Sequence, residues 1–113
     1  MVFLGMSGIT EMSDTSWKAF ERYIAKRFGG ERRGADYRSA DGGKNDIIKE
    51  GWSIECKLLS RPSFGQMSAA FDQAVAASEP GDIPIAIIKK KFDLNSNALV
   101  VMKLDEFMEW FGG

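Results

Sequence analysis

Apolar and polar positions along the chain switch period several times, and the switches divide it into elements. Trp17, Phe20, Ile24 and Phe28 recur at helical spacing. At roughly 100° per residue they share one arc. A helix is predicted from Ser13 or Asp14, as N-cap, to Gly29-Gly30, after a flexible lead-in over residues 1–13. Glu21 falls on the apolar arc of that helix. Either it sits at the edge of the stripe and pairs with Arg22 or Lys18, or it reaches into a polar site beneath the helix.

Glu31 to Arg38 reads as a strand, and residues 39–45 are turn formers that predict a loop. A β-hairpin follows, with Ile47-Ile48 in one arm, Glu50-Gly51 at the turn and Trp52 to Leu58 in the other. Alternation puts Ile54, Cys56 and Leu58 on one face and Ser53, Glu55 and Lys57 on the other. A two-residue turn would pair Lys49 with Trp52, Ile48 with Ser53 and Ile47 with Ile54. Asp46 would then face Glu55, with Cβ atoms about 4.5–5.5 Å apart. Opposed carboxylates repel, and a cation between them removes the conflict. Read alone, the face holding Glu55 and Lys57 is equally an ordinary solvated strand surface.

Pro62 breaks the strand, and a second helix is predicted from Phe64 or Gly65 to Ser78, with Met67, Ala70, Phe71, Ala74 and Val75 as its apolar stripe. Gln66 and Gln73, seven apart, share another face. Ile83 to Lys89 reads as a strand buried on both sides, and Ala98 to Lys103 as the last strand. Asp105 is the predicted cap of a short helix carrying Phe107, Met108, Trp110 and Phe111. The order α-β-β-β-α-β-β-α predicts an α/β domain in which helices cover a mixed sheet, with a parallel βαβ crossover through the second helix.

Composition narrows the chemistry. The 113 residues, 44% apolar, suit one domain with a real core, predicted to occupy residues 14–113. Histidine is absent, which excludes Ser-His-Asp and Cys-His catalysis and His-based metal motifs. The single cysteine, Cys56, excludes a disulfide framework and a cysteine-rich zinc site; its alternation with Ile54 and Leu58 predicts a buried small hydrophobe. Metal chemistry would therefore use oxygen ligands, pointing to Mg²⁺ or Mn²⁺. No run of about 18 apolar residues predicts a membrane span. Net charge is −1, yet between residues 18 and 38 seven basic residues face three acidic ones, and Lys89-Lys90-Lys91 adds a second basic cluster.

Asp46 on one strand followed by Glu55-Cys56-Lys57 on the next resembles the PD-(D/E)XK nuclease superfamily, and within it the small archaeal-type Holliday junction resolvases with their viral relatives. Glu21 matches the glutamate on their first helix and Gln73 the glutamine on the helix after the E-x-K strand, so the resemblance runs from Trp17 to Lys103. Asn45 stands where the superfamily name calls for proline. The resemblance implies a restriction-endonuclease-like fold and an Mg²⁺-dependent deoxyribonuclease, with Mn²⁺ able to substitute. It implies that Asp46, Glu55, the Cys56 carbonyl and Glu21 hold metal, that Lys57 handles the attacking water, and that Gln73 positions water, Lys57 or phosphate. Arg32, Arg33, Arg38 and Lys89 become candidate DNA phosphate contacts. It further implies a cytoplasmic, DNA-associated homodimer acting on four-way junctions. Phe107, Met108, Trp110 and Phe111, with Phe92 nearby, are candidates for the dimer surface and equally for the core of a small domain. Other members of the superfamily nick, restrict or trim DNA ends, and a non-catalytic DNA-binding module on the same fold is the further alternative.

Overall fold

Among the described residues, three helices and a five-stranded mixed sheet follow one another in the predicted order α-β-β-β-α-β-β-α. The computed structural model describes residues 6–32 and 46–113, with side chains in the first of these segments described from Trp17 onward. The elements are α1 (Met6–Phe28), β1 (Glu31–Arg32), β2 (Ile47–Lys49), β3 (Trp52–Leu59), α2 (Phe64–Ala77), β4 (Ile83–Lys90), β5 (Leu99–Val101) and α3 (Leu104–Phe111). A single turn of 3₁₀ helix, Asn95–Asn97, precedes β5. Arg33, Arg38 and the predicted loop over 39–45 lie outside the described residues. No described helix is long and apolar enough to cross a membrane.

The strands lie in sequence order, β1-β2-β3-β4-β5. Among the described strands only β3 and β4 run parallel, and α2 makes the crossover between them. The β2–β3 hairpin has the expected register, with Lys49 opposite Trp52, Ile48 opposite Ser53 and Ile47 opposite Ile54. Alternation then sorts two cores. On one face Phe20, Ile24 and Ala25 of α1 pack on Ile47, Ile54, Cys56, Ile85 and Ile87. On the other, Ala70 and Phe71 of α2 pack on Ala86 and Ile88. Ser53 is buried on the α2 side, where its hydroxyl donates to the Ala74 carbonyl at 2.6 Å. The hydroxyl thereby satisfies itself on the helix backbone instead of costing desolvation.

The ends of elements depart from expectation in physically simple ways. α1 starts at Met6, earlier than the predicted start at Ser13 or Asp14. Ser13 and Asp14 favour caps, but within a helix they cost only tenths of a kcal/mol, up to ~0.7 kcal/mol. α2 is capped by Ser63, with Gln66 returning a bond to the Ser63 N–H in a capping box. Gln66 is thus engaged at the helix end. α3 begins at Leu104 after Lys103, so Asp105 lies in the first turn rather than at the cap. Its carboxylate still favours that end through the helix dipole.

α1 stops where predicted. The Gly29 N–H donates to Lys26 and the Gly30 N–H to Ala25, the paired closure of a Schellman turn. Gly30 is required for a second reason: a Cβ there would lie 2.5 Å from the Ile48 carbonyl oxygen. β2 therefore runs directly against the α1–β1 turn. Gly30→Ala is expected to lower stability by about 1–3 kcal/mol, the usual cost of overpacking. Urea unfolding would show it as a lower midpoint at unchanged slope; an unchanged midpoint would show that β2 is free to shift.

Candidate metal centre

The β2–β3 fork lies beneath α1, whose core residues pack on Ile47, Ile54 and Cys56, and it collects the charged residues that the hairpin pattern singled out. Asp46 immediately precedes β2, and there the structure corrects the expected cross-strand pair. Asp46 does not continue the ladder opposite Glu55. Its N–H donates to the Ile54 carbonyl at 3.3 Å, and its carboxylate Oδ2 accepts the Cys56 N–H at 2.9 Å. The side chain thus replaces the next backbone rung, a competition with ladder bonds at which Asp excels. The Cys56 carbonyl shares this side of the strand, because N–H and C=O of one extended residue point the same way. The fork therefore gathers the Asp46 carboxylate and the Cys56 carbonyl at one edge.

Glu55 and Lys57 occupy the same face of β3, as alternation predicted. Lys57 Nζ is 3.5 Å from Glu55 Oε2. Glu55 is only 8% exposed. Burial raises its pKa, Asp46 raises it further, and Lys57 opposes both; the carboxyl is pushed up to about 7. The Cys56 thiol is buried in the α1-side core, as expected, and burial pushes its pKa well up, with Asp46 adding to the effect. It is a packing residue and a poor nucleophile.

Glu21 is 1% exposed, beneath α1. It pairs with neither Arg22 nor Lys18. Its Oε1 accepts from Arg32 Nε at 2.8 Å, and the Arg32 guanidinium lies over the Trp17 ring, 5.4 Å from its centroid. Burial raises the Glu21 pKa, as does Asp46, and Arg32 pulls it down. Electrostatically, Glu21, Asp46 and Glu55 form one acidic group. Among the described residues, however, no three His, Cys, Asp or Glu side chains converge closely enough to hold an ion together. The described donors that suit a metal are the carboxylates of Asp46 and Glu55 and the Cys56 carbonyl. They are all hard oxygens, and their repulsion calls for a cation, so they fit Mg²⁺ or Mn²⁺.

Several predicted DNA contacts are placed elsewhere. Arg32 is committed to Glu21. Lys89 is 7% exposed, with its ammonium on Asn95 Oδ1 at 2.7 Å and over the Phe20 ring at 5.7 Å. It extends the inward row of Ile85 and Ile87, so its charge is not offered to solvent. Gln73 is exposed on α2, beside Ala74, and makes no hydrogen bond to Glu55 or Lys57 among the described residues. Residue pattern alone did not disclose Trp17 and Asn95 as partners of Arg32 and Lys89. Both contacts are long-range in the fold or set by a loop, and no local signal marks them.

Comparison with known proteins finds no matching family model, no matching curated protein and no matching solved structure.

Proposed function

We propose that this chain is a divalent-metal-dependent DNA endonuclease of restriction-endonuclease-like fold, acting on four-way junctions as a homodimer. The observation that carries the reading is the Asp46–Cys56 hydrogen bond, which brings Asp46 beside Glu55-Cys56-Lys57 on a two-strand fork. Within the resemblance to PD-(D/E)XK nucleases, that is the arrangement their chemistry requires.

Asp46 and Glu55 would hold Mg²⁺ through carboxylate oxygens, with the Cys56 carbonyl alongside. Bound there, the ion would supply charge neutralisation and a more acidic water. Lys57, on the same face as Glu55, would orient that water or take its proton and steady the charge that builds on the phosphate. Gln73, exposed on the helix over that face, would reach toward a phosphate oxygen or the water. Arg33 and Arg38 remain proposed phosphate contacts, which position DNA without reading sequence.

The apolar residues of α3 support the dimer. Phe107, Met108 and Phe111 are about half exposed, and no residue of α3 is buried. A second copy covering this face would also provide the two active sites that symmetric incision of a junction needs.

Labelled four-way junction, flap and linear duplex, each with Mg²⁺ or EDTA, test the reading. The wild-type protein is expected to place paired symmetric nicks in the junction, and Asp46→Asn to lose them while still binding DNA. Duplex cut as fast as junction would point to a nickase, restriction-type or end-processing enzyme. DNA binding without metal-dependent cleavage of any substrate would leave a non-catalytic module.

A further inference from the structure

Among the described residues, two buried side-chain polar atoms have no hydrogen-bond partner: Oε2 of Glu21 and Nη2 of Arg32. They belong to the two members of a single ion pair, joined only through Oε1 and Nε. A purely structural Arg–carboxylate pair commonly closes both prongs of its fork. Here one prong is made, and an unmet buried polar atom is costly. A water between Oε2 and Nη2 would donate to the first and accept from the second. The stacking of Arg32 on Trp17 and its bond to Glu21 hold the guanidinium in place.

Glu21 is taken up by Arg32, and among the described residues no three acidic side chains converge on one point, so Glu21 is not aimed at an ion held by Asp46 and Glu55.

We propose that Arg32 is a positioning residue that occupies the place of a second metal: it keeps Glu21 out of the inner metal shell, so the centre takes one divalent ion, on Asp46 and Glu55. The inference rests on the metal-dependent reading above. Glu21 then acts on the ion only through water, and the guanidinium supplies the fixed positive charge that a two-metal site draws from its second ion.

Mn²⁺ binding, counted by titration calorimetry and by electron paramagnetic resonance of free Mn²⁺, tests this on the whole chain without DNA. The wild-type protein is expected to bind one Mn²⁺ per chain. Arg32→Met is expected to bind two, because Glu21 loses the cation that occupies its carboxylate. Arg32→Lys keeps a charge and is expected to bind one. Glu21→Gln is expected to retain the single ion; it gives an independent answer if Arg32→Met does not fold. Two ions in the wild type, one in a folded Arg32→Met, or loss of the ion in Glu21→Gln would each overturn the assignment and leave the metal reading standing. No Mn²⁺ bound by the wild type would overturn both.

Discussion

Lys57→Met is expected to slow Mg²⁺-dependent junction cleavage by about 10²- to 10³-fold at saturating metal, the typical loss when one preorganised donor to a developing charge is removed. Stability should hardly move. The Lys57 side chain is 35% exposed and its ammonium is 3.5 Å from Glu55, a single screened contact. The lysine end lies partly in solvent while Glu55 is buried, so screening holds the pair's contribution to about 1 kcal/mol. Methionine also keeps most of the stem, so packing along β3 is preserved. A secondary effect must be separated from the chemical one: Lys57 lowers the pKa of Glu55, so its removal pushes that carboxyl higher. Rates should therefore be compared at alkaline pH and saturating Mg²⁺, under single-turnover conditions. Cleavage by Lys57→Met within about threefold of wild type there would remove Lys57 from the chemistry. Loss of Mn²⁺ binding in the same variant would instead make it a support of the metal site.

The hairpin register was legible because it depends on a local rule. Strict alternation from Trp52 to Leu58 and a two-residue turn leave one pairing that puts Ile47 and Ile54 together inside. The same rule misplaced Asp46, because it describes backbone pairing and Asp46 ends the ladder with its side chain. A cross-strand Asp46 would face Glu55, whereas the observed side chain closes on the Cys56 backbone. Glu21 was visible as a carboxylate on an apolar arc. Its partner was not, because Arg32 is eleven residues away and reaches it only once β1 has paired with β2. Lys89 departs from expectation for a different reason. Three consecutive lysines suggested a solvated cluster, yet continuing the alternation of Ile85 and Ile87 by one step turns Lys89 inward. Strand parity outweighs charge there because Asn95 and the Phe20 ring receive the ammonium.

Glu55→Gln is expected to make the metal-free protein more stable than wild type at pH 8, while abolishing the metal site. The Glu55 carboxyl titrates near 7 in the fold against an ordinary value of 4.5, chiefly through burial and then through Asp46. Below pH 4.5 it is protonated both folded and unfolded, and no cost arises. Between pH 4.5 and about 7 the unfolded chain ionises first and binds fewer protons than the fold, so stability falls as pH rises. Above that window the full cost remains, on the order of 3 kcal/mol. Glutamine carries no charge to desolvate and nothing for Asp46 to repel, so its urea midpoint should stay flat where the wild-type midpoint drops. Mg²⁺ reverses the comparison. It binds the ionised carboxylate, so added metal should raise the wild-type midpoint most at pH 8 and leave Glu55→Gln unmoved. Binding should also tighten with pH up to about 7 and then level off, because the proton on Glu55 must leave first. Parallel midpoints for the two proteins across pH 4–8, with or without Mg²⁺, would show that Glu55 is an ordinary surface carboxylate. If the curves diverge as expected, the fold sustains an unfavourable charge at Glu55 that the bound cation offsets, a stability cost of the kind that functional sites impose.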